Sequence, residues 1–165
     1  MMRHTISILL ENESGALSRV AGLFSARGYN IESLSVAATD DPTLSRMTLV
    51  TRGNEQIIDQ IKKQLNKLIE VVKIMDLAEH DSVERELLLV KVKAENSVEF
   101  ETIKRVVDIY RARIIDSSKT TYTVEVTGDQ GKVKAFLHAM ESHNVMEVVR
   151  SGALGIARGM TALKL

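Results

Sequence analysis

Two hydrophobic periods take turns along this chain, and their order limits the folds open to it. Ile6, Ile8 and Leu10 alternate with Thr5 and Ser7, the period of two that sends every second side chain to one face of a strand. Leu17, Val20, Ala21 and Phe24 then recur at helical spacing, and Gly28 is placed to end that helix. The segment IESLSVAA reads as a second strand, DDPTLS as a loop, and RMTLVTR as a third strand. After Gly53 and Asn54, the residues Ile57, Ile61, Leu65 and Leu68 mark a second helix, and IEVVKIMDL closes the set as a fourth strand. This order, βαββαβ, is the ferredoxin-like pattern.

The pattern then repeats. The polar stretch AEHDSVERE is the natural linker, followed by the strand ELLLVKVKA. Phe100, Ile103, Val107 and Tyr110 mark a helix, opened by Asn96 and Glu99 as a capping box. ARIIDSS and TYTVEVTG read as a strand pair turning near Lys119, Val133, Phe136, Leu137 and Met140 as a helix, and NVMEVVRS as the last strand. The expected fold class is α+β, with two tandem ferredoxin-like units: residues 1–78, a linker at 79–84, and residues 85–165. Each is a four-stranded sheet with helices on one face, so the other face and the edge strands need cover, and a homodimer is expected.

Composition removes several classes of function. The chain carries 22 basic and 22 acidic residues, a balance that offers nothing to nucleic acid or to an anionic membrane. It has no cysteine, hence no disulfide, thiolate nucleophile or Cys-based zinc site, as suits a reducing cytoplasm. No apolar run approaches the ~20 residues of a membrane helix, and MMRHTISILLEN reads as a first strand rather than a leader. RNA-recognition modules of the same topology stack bases on aromatic residues of their central strands, and neither TISILLE nor RMTLVTR carries one.

Catalytic constellations are equally scarce. His4, His80, His138 and His143 form no zinc-binding spacing; His138 is expected on a solvated helix face, and His4 and His143 at strand edges. Asp40 and Asp41 precede Pro42 in a turn. GALGIARG does not match the spacing of a dinucleotide-binding loop. No catalytic residue and no metal ligand is assigned.

One corner stands apart: NESGAL, at the mouth of the first helix. Ser14 is the expected N-cap and Asn12 sits in the turn before it. Most such corners only start a helix. Gly15, however, permits close approach to the first-turn N–H groups, whose unpaired donors and partial positive charge suit a carboxylate. Asn12 and Asn30 offer amide groups to a zwitterion, and Leu17, Ile31 and Leu34 an apolar wall. The residues alone leave both readings open.

The stretch ISILLENESGALSRVAGLFSARGYNIESLSVAATDDPTLSRMTLVT closely resembles the N-terminal ACT domain of the regulatory small subunits of bacterial acetohydroxyacid (acetolactate) synthase. VERELLLVKV, IIDSSKTTYTVEVTG and VVRSGALGIARG resemble that family's second half. The resemblance implies a non-catalytic subunit that dimerises, binds valine or a related branched-chain amino acid, attaches to a large catalytic subunit, activates it and confers feedback inhibition. Carried onto this chain, the effector site is Asn12, Gly15, Ala16 and Leu17, completed by Asn30 and Ile31 across an ACT–ACT interface. Thiamine diphosphate, FAD and magnesium are then expected on the large subunit, with no cofactor on this one. The second half has KAENSVEF where the corner would be, so the resemblance extends no second effector site there. A free-standing amino-acid sensor built on the same corner, or an enzyme with a ferredoxin-like fold, are the other classes a sequence of this kind admits.

Overall fold

The computed structural model describes all 165 residues, which divide into two compact units, Met1–Val83 with Ala153–Leu165, and Glu84–Gly152.

The first unit runs β1 (Met2–Glu11), α1 (Ala16–Ala26), β2 (Ile31–Ala38), β3 (Leu44–Gly53), α2 (Glu55–Leu65) and β4 (Val71–Asp76), then a 3-10 turn, Leu77–Glu79. Its antiparallel sheet has the order β2-β3-β1-β4. The alternation in β1 does what it predicts: Ile6, Ile8 and Leu10 join Val20, Phe24, Met47, Leu49, Ile58, Ile61 and Leu65 in one core beneath the two helices. Two residues of the expected helix stripe, Val20 and Phe24, face the core as its spacing predicts, and the start of the stripe differs. Ala16, Val20 and Phe24 face inward, and Leu17 is 41% exposed. α1 ends in a Schellman motif: Tyr29 N–H donates to Phe24 O, Gly28 N–H to Ser25 O, and Gly28 takes φ 69°, a value that glycine adopts without strain.

The second unit runs β5 (Ser82–Lys93), α3 (Ser97–Ile109), β6 (Arg113–Ser117), β7 (Thr121–Gly128), α4 (Gln130–Met140) and β8 (Asn144–Arg150). Its strand order, β6-β7-β5-β8, repeats the first. Leu88, Val90, Val92, Val124 and Val126 meet Ile103, Val107, Val133, Phe136 and Met140 in a separate core. α3 closes with the same Schellman hydrogen bonds, Ala112 N–H to Val107 O and Arg111 N–H to Asp108 O, but the left-handed position holds Arg111 at φ 53°. Gly53 and Gly128 each precede a capped helix. A Cβ on either would lie within 3.0 Å of Ile57 or Lys132, so the strand-to-helix turn is too tight for a side chain.

Three expectations change. Within the expected linker, 79–84, Glu79 closes the 3-10 turn and Ser82–Glu84 already belong to the first strand of the second unit. The last residues were expected in the C-terminal unit; instead Ala153–Leu165, including a short strand β9 (Leu154–Ala157), group with the first. The Arg46 guanidinium, burial of which lowers its pKa, binds both Ser7 Oγ at 2.9 Å and Gly155 O at 3.0 Å, while Lys73 Nζ donates to Lys164 O at 3.0 Å. Ala153, Ala157 and Leu163 are buried. Thr5, Ser7 and Leu9, on the sheet face away from the helices, are buried too. Finally, His4 is not at an edge: β1 lies between β3 and β4, and His4 is 8% exposed.

Candidate functional site: the corner between β1 and α1

The N-cap of α1 is Gly15, at φ 90° and ψ −11°, and no side chain caps the helix. Ser14, the expected cap, lies in the turn before it. A left-handed residue at this point turns the chain sharply enough that Ala16 N–H reaches Glu13 O at 3.3 Å and no serine hydroxyl is aimed at the first turn. The other three α-helices are capped by side chains: Asn54 accepts from Ile57 N–H, Asn96 from Glu99 N–H, and Asp129 from Lys132 N–H. The first turn of α1 also contains no acidic residue. Its positive end therefore faces solvent without a counter-charge from its own sequence.

The surroundings brace this corner. Asn12 N–H donates to Thr43 O at 2.8 Å, Asn12 Nδ2 to Pro42 O at 3.0 Å, and Ser45 Oγ to Asn12 Oδ1 at 3.1 Å. Much of the Asn12 amide is thus spent in tying the corner to the β2–β3 loop, leaving one N–H and one lone pair. That loop is itself stiffened by Asp41, whose Oδ1 accepts from Thr43 Oγ1 at 2.7 Å and Thr43 N–H at 2.9 Å. These two bonds hold the Asp41 carboxyl below its usual pKa. Arg19, one turn into α1, pairs with Glu70, and its guanidinium would stand 3.9 Å from a Cβ at position 15.

The expected site residues divide into three groups. Asn12, Gly15 and Leu17 share the exposed corner. Ala16 stands among them in sequence, but its side chain is in the core at 3% exposure, and it contributes backbone only. Asn30 and Ile31 are elsewhere: Ile31 pairs with Thr51, and Thr51 with His4 near the start of β1, whereas the corner adjoins Leu44 at the other end of β3. Seven strand residues at ~3.3 Å each put about 23 Å between them. One copy of the chain cannot join the two sets.

A pair that sequence reading passed over lies at that far end. His4 Nδ1 is 2.8 Å from Asp76 Oδ2, with side-chain exposures of 10% and 0%. The signal was parity: His4 continues the inward series of Ile6, Ile8 and Leu10.

Comparison with known proteins fits this architecture unit by unit. Residues 6–73 match the family described as the AHAS small subunit-like ACT domain, and residues 85–159 the family described as the small subunit of acetolactate synthase. The chain is 52% identical over 159 residues to the acetolactate synthase small subunit of Haemophilus influenzae, covering 96% of this chain and 97% of that one. It is 53% identical, over the same shares, to the isozyme 3 small subunit of Escherichia coli. The crystal structure of the acetolactate synthase small subunit from Thermotoga maritima superposes with a TM-score of 0.88 at 36% identity, over 98% of this chain and 100% of that one. With both units matched and the relatives aligned nearly end to end, this chain belongs to the acetolactate synthase small-subunit family, and its first unit is an ACT domain.

Proposed function

We propose that this chain is the regulatory subunit of an acetolactate synthase, binding valine or a related branched-chain amino acid at the β1–α1 corner. The observation that carries the reading is the first turn of α1: a left-handed glycine cap, no side-chain cap and no acidic residue, beside the exposed apolar Leu17. Such an end offers backbone N–H donors to a carboxylate. Asn12 keeps polar capacity for the effector, and Leu17 supplies an apolar contact for a short aliphatic side chain.

The effector's other wall comes from a second copy. Asn30 and Ile31 stand too far from the corner to serve their own chain, so the site is complete only in a homodimer that brings one copy's corner to the other's second strand. Effector binding then changes the fit between copies and is felt by a catalytic subunit attached to the dimer. Thiamine diphosphate, FAD and magnesium belong to that catalytic subunit, which performs the carbon–carbon bond formation in the cytoplasm. This chain raises its rate and makes it sensitive to end product.

The test is reconstitution. The purified chain is added to the large subunit from the same source, and acetolactate formation is measured with and without valine. Activation that valine reverses supports the proposal. No activation favours a free-standing amino-acid sensor, and acetolactate formation by the chain alone refutes the non-catalytic role.

A further inference from the structure

The first unit carries a recess of about 390 Å³ between its second strand, its third strand and the returning tail. Val36 and Ala37 of β2, Arg46 and Thr48 of β3, and Leu154 and Ile156 of β9 line it. That volume is within the range of small-molecule sites. Arg46 and Thr48 alternate along β3 with Met47 and Leu49, which belong to the core beneath the helices. The recess therefore lies on the sheet face opposite α1 and the effector corner.

Arg46 is the one charged residue of this lining, and its surroundings differ from those of the chain's paired arginines. Arg19, Arg52, Arg113 and Arg150 each face a carboxylate, from Glu70, Glu32, Glu125 and Glu86. Arg46 instead donates from Nε to Ser7 Oγ at 2.9 Å and from Nη2 to Gly155 O at 3.0 Å, two neutral acceptors. No carboxylate offsets its burial, which by itself lowers the pKa. Tying the tail to the sheet thus uses two N–H groups and leaves the charge unanswered, and a charge drawn from water without a counter-charge is costly.

The guanidinium has a donor left to answer it. Nη1 keeps both of its N–H groups. The polar side-chain atoms buried without a partner are His4 Nε2 and Thr5 Oγ1. Nη1 is also unbonded but is not one of these, so it retains accessible surface on the recess that Arg46 lines. The two bonds to Ser7 and Gly155 hold the guanidinium in place.

The rest of the lining narrows the ligand. Val36, Leu154 and Ile156 are exposed apolar side chains on the two sides of Arg46. One guanidinium balances one negative charge, and the lining holds no second cation for a phosphate dianion. A protonated amine would meet like charge.

We infer that this recess is a second ligand site, which binds a short aliphatic carboxylate through Arg46 Nη1 and packs its hydrocarbon part against Val36, Leu154 and Ile156.

The test is a titration of the full chain, labelled with 15N, with sodium isobutyrate and, in parallel at equal ionic strength, with isobutyramide, isobutylammonium chloride and sodium phosphate. The Arg46 Nε resonance and the Gly155 and Ile156 amides should shift in a saturable way with isobutyrate and much less with the other three. Arg46→Gln removes the charge and should weaken isobutyrate at least about tenfold. Ile156→Glu leaves Arg46 with both of its bonds and brings a competing carboxylate to the recess, so it too should lose the response while the amides of Ile6 and Leu49 stay as in the parent. Gly15→Asp, at the effector corner, should bind isobutyrate as the parent does. An equal response to isobutyramide overturns recognition by charge, and a stronger one to phosphate or isobutylammonium overturns the carboxylate assignment. No saturable response, or the parent's affinity in Arg46→Gln or Ile156→Glu, overturns the site and leaves Arg46 a tie for the tail. A loss in Gly15→Asp equal to that in Arg46→Gln puts isobutyrate at the corner and overturns it as well. Neither valine nor the catalytic subunit enters these measurements, so the effector proposal can fail without this one failing.

Discussion

Substituting Gly15 separates the two properties that the corner needs, a left-handed backbone and an uncompensated positive helix end. Gly15 sits at φ 90°, and a Cβ there would meet nothing nearer than the Arg19 guanidinium at 3.9 Å. Gly15→Ala is therefore free of steric clash and costs only the left-handed strain, about 1–2 kcal/mol of stability. Gly15→Asp carries similar strain, eased because aspartate tolerates this region better and because its charge at a helix N-terminus returns roughly 0.3–1 kcal/mol. Both variants should fold, with the aspartate no less stable than the alanine.

Effector binding should rank them the other way. An aspartate beside the bound carboxylate puts two like charges ~4 Å apart, costing about 1 kcal/mol in water and more in a partly dry pocket. Loss of one charge-assisted hydrogen bond adds roughly 1.5–3 kcal/mol. Valine affinity should fall at least about tenfold in Gly15→Asp, and clearly less in Gly15→Ala. Activation of the catalytic subunit should persist in both while valine inhibition fades in the aspartate variant. Titration calorimetry with valine, denaturant unfolding and reconstituted activity are measured on the same preparations. Valine affinities equal to the parent's in both variants would falsify the corner as the site. Equal losses in the two would show that strain, not charge, is what the effector senses.

Asn30→Ala, in the wall supplied by the second copy, should reduce valine affinity more mildly than Gly15→Asp and leave the unfolding midpoint near the parent's, since Asn30 is exposed; calorimetry and urea unfolding check both halves. Arg111→Gly should stabilise the second unit by about 0.5–1 kcal/mol, because it relieves a left-handed arginine at φ 53° at a smaller cost in unfolded-chain entropy; a lowered denaturation midpoint would contradict the Schellman reading. The β2–β3 loop should loosen in acid. The Asp41 carboxyl is lowered in the fold by Thr43 from 3.8, so its contribution is present above that unfolded value and is lost as pH falls through the folded one. Amide exchange at Thr43, followed downward in pH, should rise there in the parent and be high throughout in Asp41→Asn.

Much of this protein follows from local chemistry, and the sequence determined those parts alone. The period-two alternation of Ile6, Ile8 and Leu10 and the helical spacing of Val20 and Phe24 define elements whatever surrounds them, because the backbone alone sets those periods. Gly28 and Asn96 act within one turn of their own position, so the helix end and the α3 cap were readable before any fold was known. The family resemblance of the corner was legible for the same reason: its residues are contiguous.

Tertiary structure decided what depends on distant partners. Ser14 and Gly15 both suit a cap by type, and the left-handed turn between β1 and α1 chose glycine. That choice set the helix phase, burying Ala16 and exposing Leu17 against the order of their hydrophobicity. His4 looked idle because its partner is 72 residues away on β4. The tail carries no period at all; its place is marked by Arg46 reaching Ser7 and Gly155, by Lys73 donating to Lys164 O, and by the burial of Ala153, Ala157 and Leu163. Asn30 lies near the corner in sequence, yet an α-helix and the length of a strand part them. A residue's neighbours along the chain govern its dihedrals, but only the packed sheet fixes which side chains share a site.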